Sequence, residues 1–220
     1  MEKRPDESIK KDVIDELYWD GRIDASKIEV RVKNGKVNLE GSVISRPVKA
    51  FAYLDAWQVK GVKFVLDKLE VKLPKGVARP SDVEVKDRVE EFLDWEPKIN
   101  GNIEISVKNG VVHLGGTTDM FWKKAQAETV ASKANGVLDI VNEIAVAPEG
   151  NIIDQEIAKG ILDSIKRKGN IDVDNLAVKV EEGKVTLEGR VPNYDAFSYV
   201  ENTAIKSAGV IEIENNLLIV

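Results

Sequence analysis

The chain contains no cysteine and only one histidine, and aromatic residues make up 6% of its 220 residues. The absence of cysteine excludes thiol nucleophiles, disulfide bonds and cysteine-ligated metal sites. The single histidine, His113, supplies neither a catalytic triad nor a zinc site, because each needs several organised partners. No apolar run approaches the roughly 18 residues that a membrane-spanning helix requires. We therefore expect no enzyme, no cofactor, and at most a peripheral association with membranes.

Charge and apolar residues are plentiful instead. Hydrophobic residues make up 43% of the chain and charged residues 32%, a composition typical of a soluble globular protein. Residues Met1 to Ser81 hold 17 Lys/Arg and 13 Asp/Glu, whereas Asp82 to Val220 hold 15 and 25, so the net charge of −6 is unevenly spread. An acidic chain repels nucleic acid unless a local basic patch overrides the net charge. Only the first third has the charge for such a patch, and no nucleic-acid partner is expected.

The first residues, MEKRPDESIKK, lack the apolar core of a secretory signal. We therefore expect a cytoplasmic protein if Met1 is the native start, and a periplasmic one if a presequence has been removed. The lack of cysteine does not decide between these two locations, because it leaves the redox compartment open.

Three columns of glycine recur in register along the chain, 75 and then 73 residues apart. The columns are Gly35, Gly110 and Gly183; Gly41, Gly116 and Gly189; and Gly61, Gly136 and Gly209. A period this long exceeds the repeat unit of a solenoid and predicts three small domains in tandem. We place them at residues 1–76, 77–149 and 150–220, with linkers at Leu73–Asp82 and Ala147–Asn151.

Each repeat predicts the element order α-β-β-α-β. A stripe of apolar residues every four positions predicts the first helix. The stripes are Ile9, Val13 and Leu17; Val85, Val89 and Leu93; and Ile153, Ile157 and Ile161. Asp6, and either Ser81 or Asp82, are candidate N-caps. The predicted fold class is α+β, with two helices on one face of each three-stranded mixed sheet and the other face open and polar.

The first two strands of each repeat form a hairpin. Ile28, Val30 and Val32 alternate with charged residues, which indicates a half-buried strand. Asn34–Gly35 then matches a type I′ turn, in which both central residues have positive φ. Turn geometry explains the glycines, and no phosphate-binding glycine loop is present.

This pattern, V-x-x-G-x-V-x-L-x-G-x-V with a later alanine and a G-V pair, resembles the BON domain of bacterial osmotically inducible and nodulation proteins. The residues that carry the resemblance in the first repeat are Val32, Gly35, Val37, Leu39, Gly41, Val43, Ala56, Gly61 and Val62. The second repeat departs at Thr118, where the pattern has a valine, and the third has a longer segment at 166–175. The resemblance implies non-catalytic binding of phospholipids or envelope components, often in the periplasm and under osmotic or other stress.

The open sheet face of the first repeat is predicted to be basic. By alternation it carries five cations, which are Arg31, Lys33, Lys36, Lys68 and Lys72. Glu29, Glu40 and Glu70 share that face. The cations favour contact with anionic lipid headgroups, and evenly mixed, solvated charge explains the same residues nearly as well.

Trp19 and Trp95 occupy equivalent places at the ends of the first helices of repeats one and two, where we align Asp163 in repeat three. Each lies about 120° from the centre of the apolar stripe, at 100° per residue. One interpretation, which we favour, is that a frayed helix end tucks the ring against the sheet edge. The other is that the ring inserts into a lipid interface or a partner.

The segment Val48–Val59 is apolar on more sides than one helix needs. Ala52 and Ala56 account for its core face, and further apolar side chains cover much of the rest. These are Phe51, Tyr53, Leu54 and Trp57. Since the counterpart Lys123–Ala134 is amphipathic, the fold does not demand the excess. The helix is predicted to pack on a neighbouring repeat or a second chain, or to form an exposed patch.

Other charged clusters do not change this conclusion. The acidic residues of the first helices suit a solvated helix face. Asp172–Asn175 begins like a calcium loop but lacks its central glycine and later ligands, so no metal site is predicted.

The predicted function is non-catalytic binding of an anionic phospholipid surface or an envelope component, in a stress-related role. The alternative is a protein-interaction or chaperone-like stress protein that acts through the helix at 48–59, with self-association as one form of that contact.

Overall fold

The computed structural model describes residues 4–99, 102–150, 152–167 and 176–220. Within these ranges the order α-β-β-α-β occurs three times, and each copy has a mixed sheet with helices, so the predicted fold class is confirmed. The segment Asp172–Asn175, considered above as the start of a calcium loop, lies outside the described residues. No helix in the described ranges is long and apolar enough to cross a membrane.

The first copy has a central strand with one antiparallel and one parallel neighbour. Its elements are α1 (Asp6–Trp19), a 3₁₀ turn (Ala25–Lys27), β1 (Ile28–Lys33), β2 (Lys36–Val43), α2 (Arg46–Gln58) and β3 (Phe64–Val71). The sheet order is β1-β2-β3, with β2 antiparallel to β1 and parallel to β3.

The other two copies repeat this topology with one variation. The second comprises α3 (Asp82–Asp94), β4 (Asn102–Lys108), β5 (Val111–Thr118), α4 (Phe121–Ala131), β6 (Asp139–Asn142) and β7 (Ala145–Val146). The third comprises α5 (Asp154–Arg167), β8 (Leu176–Glu181), β9 (Lys184–Val191), α6 (Tyr194–Ile205) and β10 (Glu212–Ile219). In the second copy the third strand position is divided between β6 and β7, which both pair with β5.

The core of the first copy lies between its two helices and one face of its sheet. Ile9, Val13 and Leu17 are buried on α1, as the four-residue spacing predicts. On α2, Ala52 and Ala56 are completely buried. Because alanine is small, α2 can approach the sheet closely while α1 packs beside it.

In the third copy the predicted register of the helix is wrong by one turn. Ile153 precedes α5 and is 56% exposed, whereas Ile157, Ile161 and Ile165 form the buried stripe. Four isoleucines at intervals of four fit two registers equally well, so the spacing alone could not decide. As a result Arg167, and not Asp163, corresponds to Trp19 and Trp95.

A carboxylate at the start of the first helix ties that helix to the hairpin in every copy. Asp6 accepts hydrogen bonds from the backbone N–H groups of Asn34 (2.7 Å) and Gly35 (3.0 Å). Asp82 and Asp154 accept the equivalent pairs at 2.7 to 2.9 Å. Both turn residues have positive φ, 54° at Asn34 and 75° at Gly35, as the predicted type I′ turn requires.

The structure shows which of the predicted N-caps are used. The N-cap of α1 is Pro5, so the prediction of Asp6 as a cap is wrong. For α3, Ser81 is the capping residue. The Glu84 N–H donates to Ser81 Oγ (3.3 Å), and the Ser81 N–H donates to the Glu84 carboxylate (2.7 Å), a reciprocal capping box.

Gly41 is needed for a reason other than the geometry of a turn. It lies inside β2, with φ of 125°, and a Cβ there would meet the Lys27 carbonyl oxygen at 2.0 Å. The glycine therefore permits a close backbone approach as well as a positive φ.

The Cα positions group into two compact units that do not follow the repeats. One comprises Met1–Val89, Val107–Val112 and Ala131–Ile140, and the other comprises Glu90–Ser106, His113–Val130 and Val141–Val220. The first copy lies wholly in the former and the third copy wholly in the latter. Boundaries at residues 76 and 149 remain predictions.

Candidate functional site

The open face of the first sheet holds a groove at the hairpin end, which we call the hairpin-end groove. It encloses about 580 Å³, and its lining includes Arg31, Lys33, Lys36, Asn38, Phe64 and Leu66. Alternation along the strands places these side chains on the face opposite the helices. Phe64 is 49% exposed and Leu66 is 43% exposed, so the groove combines cations with apolar surface.

Sequence reasoning identified the cations of this groove but missed its apolar part. The inward positions of β3 begin at Val65, and Phe64 and Leu66 therefore had to point outward. The counterparts of Phe64 are Asp139 and Glu212, and those of Leu66 are Val141 and Glu214. The available signal was a large apolar residue at position 64, where both other copies carry a carboxylate, and at position 66, where the third copy carries one.

Three of the five predicted cations are neutralised by neighbouring carboxylates. Arg31 pairs with Glu29 at 2.8 Å, and Lys72 pairs with Glu70 at 2.6 Å. Glu40 lies between Arg31 (3.5 Å) and Lys68 (3.4 Å). A hydrogen bond from the Asn38 side chain, followed by the charge of Arg31, lowers the pKa of Glu40 and keeps it ionised. The ion pairs of these three cations match the second explanation given above, in which this face carries evenly mixed, solvated charge.

Lys33 and Lys36 differ from the other three cations. They face each other directly across β1 and β2, and Lys36 is also the register partner of Phe64 on β3. Within the described residues neither lysine forms an ion pair. Two like charges placed opposite each other repel. The groove therefore presents positive charge beside a half-exposed aromatic ring.

Asn38 lies on the central strand between these groups. Its Nδ2 donates to Glu40 at 2.6 Å, while its Oδ1 is buried without a hydrogen-bond partner in the described part of the chain.

The equivalent face of the third copy lacks both features of the groove. Lys179 pairs with Glu188 at 2.7 Å and Lys184 pairs with Glu212 at 3.0 Å. Glu212 and Glu214 stand where the first copy has Phe64 and Leu66. The third copy is consequently an internal control for any function of the groove.

The two tryptophans at the helix ends are exposed, so the favoured interpretation that they tuck against the sheet is wrong. Trp19 is 80% exposed and Trp95 is 68% exposed. The ends do not fray inward, because the Asp20 N–H still donates to the Glu16 carbonyl (3.1 Å) and the Trp95 N–H to the Glu91 carbonyl (3.2 Å).

Each exposed tryptophan has a second aromatic ring beside it, which sequence reasoning missed. Tyr18, 70% exposed, meets Trp19 edge to face with centroids 5.6 Å apart, and Phe92 lies 5.9 Å from Trp95. Trp19 is not near the groove. The start of α1 holds the hairpin, and its 14 residues span roughly 20 Å to the other end.

The apolar helix α2 is packed and is not an exposed patch. Trp57 is 5% exposed, Phe51 and Tyr53 are half-buried, and of the four predicted contact residues only Leu54 is exposed, at 41%. The Arg22 guanidinium lies 3.7 Å above the Phe51 ring. The excess apolar surface of α2 is therefore largely covered.

Arg22 also organises a pair of carboxyl groups beside Phe51. Its side chain donates three hydrogen bonds to Asp20, from Nε at 2.9 and 3.0 Å and from Nη2 at 2.5 Å. These bonds, followed by one from the Arg22 backbone N–H (2.9 Å), lower the pKa of Asp20 to about 2. Burial, and then the charge of Asp20, raise the pKa of Asp55 to about 6. The described residues hold no group of three or more His, Cys, Asp or Glu side chains suited to a metal ion.

Comparison with known proteins agrees with this architecture. The model of the BON domain matches residues 5–72, 81–148 and 153–220, and no curated protein matches the chain. Several solved structures are similar at low TM-score, and two of them are described here. One, of CdsD, a structural protein of the type III secretion system of Chlamydia trachomatis, is 17% identical (97% of this chain, 92% of that chain, TM-score 0.28). The other, the PrgH periplasmic domain, is 8% identical (88% and 95%, TM-score 0.24).

TM-scores this low establish no common arrangement and support no functional argument. The match to the BON domain model stands apart, because it accounts for nearly the whole chain in three consecutive copies. The chain belongs to the BON domain family.

Proposed function

We propose that this BON-domain chain is a non-catalytic protein that binds anionic phospholipid surfaces through the hairpin-end groove of its first copy. The observation that carries the proposal is the placement of Lys33 and Lys36, without ion pairs among the described residues, beside the half-exposed Phe64 and Leu66. Basic side chains attract headgroup phosphates, and apolar side chains between them enter the boundary with the acyl chains.

The expected binding is weak and reversible. A basic residue near an anionic membrane contributes about 1 kcal/mol, and salt screens this attraction over roughly 8–10 Å. Arg31, Lys68 and Lys72 contribute less, because neighbouring carboxylates already offset their charge. Phe64 and Leu66 therefore have to supply part of the affinity.

The test is co-sedimentation of the full chain with phosphatidylcholine vesicles and with vesicles that also contain phosphatidylglycerol. We expect binding only to the anionic vesicles, with loss at high salt. Lys33→Glu/Lys36→Glu is expected to abolish it. The matched control, Lys179→Glu/Lys184→Glu, changes the net charge by the same amount on the face of the third copy and is expected to keep it.

Two outcomes would contradict the proposal. One is wild-type protein that stays in the supernatant with anionic vesicles at low salt. The other is equal loss of binding in both double variants, which would mean that only net charge matters.

A stress-related role and an envelope location belong to the same proposal, and membership of the BON domain family supports them. Protein–protein interaction is the second candidate function. The exposed tryptophans of α1 and α3 favour it more than the helix at 48–59 does, since only Leu54 of that helix's predicted contact residues is exposed.

A further inference from the structure

The ends of α1 and α3 carry matching aromatic surfaces, which we call the aromatic ends. The first consists of Tyr18 and Trp19, and the second of Phe92 and Trp95. The tryptophans occupy equivalent positions in two copies and are 80% and 68% exposed. Large exposed rings at a repeated position are a surface without a partner in the described chain.

The fold does not require an aromatic residue at this position. In the third copy α5 has Arg167 there, preceded by Lys166, which is the usual arrangement of basic residues in the last turn of a helix. The third copy has the same topology, so the tryptophans of the first two copies are not needed to build it.

The charge around both aromatic ends is negative. A carboxylate lies four residues before each tryptophan, on the same side of the helix, at Asp15 and Glu91. Glu16 and Asp94 add a second exposed carboxylate to each end. None of these four forms an ion pair with a described residue. Neither helix has a basic residue in its last turn, so the negative end of each helix dipole adds to this field.

This negative field argues against contact with anionic headgroups and favours a cationic partner. Among cations, arginine matches both parts of the surface, because its planar guanidinium stacks on an aromatic ring and pairs with a carboxylate. The first copy contains the same combination internally, where Arg22 lies over the Phe51 ring at 3.7 Å and binds the Asp20 carboxylate.

We propose that the aromatic ends of α1 and α3 are two equivalent docking sites for arginine-bearing segments of another protein. The ring of Trp19 or Trp95 takes the guanidinium face, and Asp15 or Glu91 takes its N–H groups. Two such sites on one chain permit bivalent binding of a partner with two arginine segments. The proposal is independent of lipid binding at the groove, which uses other residues.

The test measures binding of a synthetic peptide of alternating glycine and arginine to the full chain by calorimetry. Peptides with lysine or glutamate in place of arginine are compared with it. We expect two sites per chain and tighter binding of the arginine peptide than of the lysine peptide. Trp19→Ala/Trp95→Ala is expected to weaken binding by about tenfold or more. Phe64→Ala/Leu66→Ala, which removes two exposed apolar side chains elsewhere, is expected to leave it unchanged.

The carboxylates are tested separately from the rings. Asp15→Asn/Glu91→Gln is expected to weaken binding, and Asp163→Asn/Glu156→Gln, with the same change in net charge on α5, is expected not to. Equal binding of the arginine and lysine peptides, or equal effects of each variant and its control, would overturn the proposal. Loss of anionic vesicle binding in Trp19→Ala/Trp95→Ala with unchanged peptide binding would also overturn it, and would assign the aromatic ends to a membrane.

Discussion

Among the residues of the first copy, Asp55 illustrates how one side chain can act against stability at neutral pH. It lies on α2, and its Oδ2 is buried without a hydrogen-bond partner in the described part of the chain. Asp20, Glu16 and Arg22 are the charged groups that act on it. Because Arg22 is already bonded to Asp20, it compensates the charge of Asp55 only partly.

The pKa of Asp55 rises from 3.8 to about 6 in the folded protein, so the folded state holds a proton that the unfolded chain releases. The contribution of this group to stability therefore increases as the pH falls from about 7 to about 4. The contribution of Asp20 to stability changes with pH in the opposite direction. Its pKa is lowered to about 2, so its stabilising contribution is present above about pH 4 and is lost as the pH falls toward 2.

We predict that Asp55→Asn raises the urea midpoint at about pH 8 and has a smaller effect at about pH 5, because the wild-type carboxyl is then protonated. Asp15→Asn, which removes an exposed carboxylate of α1, serves as the control. A stability difference between Asp55→Asn and wild type that is the same at both pH values would show that the Asp55 carboxyl does not titrate in this range.

Single residues also show where prediction from the sequence reached its limit. Alternation placed Lys33 and Lys36 on the open face correctly, because strand side chains alternate whatever the packing. Which cations are offset by carboxylates depends on side-chain reach across strands, as at Glu40, and no spacing rule contains that information. Likewise, the exposure of Trp19 depends on whether the end of α1 frays, which the sequence does not show.

At the scale of elements, the contact between the first helix and the hairpin recurs in all three copies. Asp154 accepts hydrogen bonds from the N–H groups of Glu182 and Gly183, both at 2.9 Å, and so joins α5 to the β8–β9 turn. The turn residues have positive φ, 51° and 76°, a conformation that a non-glycine residue adopts only with support. The carboxylate stabilises that turn by accepting hydrogen bonds from both of its backbone N–H groups.

We predict that Asp154→Ala destabilises the third copy by on the order of 1 kcal/mol, since two hydrogen bonds to a charged acceptor are lost. Hydrogen exchange should show faster exchange at the amides of Glu182 and Gly183, with little change at the corresponding Asn34 and Gly35. Asp154→Asn, which keeps one acceptor oxygen, should have the smaller effect. Unchanged exchange at both turn amides would contradict this role.

The sequence predicted these elements well and their tertiary contacts less well. Periodicities of four and two located the helices and hairpins, because each reports which face of an element is buried. The register of α5 was ambiguous for the same reason, since Ile153 continues the spacing of the buried isoleucines. The link from Asp6 to the hairpin spans 28 residues of sequence, beyond any local signal, although an aspartate at the same place in each copy hinted at a shared role.

For the whole molecule, the three copies share one fold and differ in surface. The first has the hairpin-end groove, the first and second have the aromatic ends, and the third has neither. The net charge differs as well, being positive in the first third of the chain and negative in the rest. Under the proposed function, the first copy binds the membrane and the acidic remainder of the chain limits nonspecific attraction to anionic surfaces.

The central claim is tested most directly by the depth of one residue in the membrane. Because the chain has no cysteine, Leu66→Cys introduces a single site for an environment-sensitive fluorophore such as NBD. Glu214→Cys, at the equivalent position of the third copy, is the matched control. We predict that anionic vesicles shift the emission of the label at position 66 to the blue, that high salt reverses the shift, and that the label at position 214 does not respond. No shift at position 66, or an equal shift at both positions, would contradict the account.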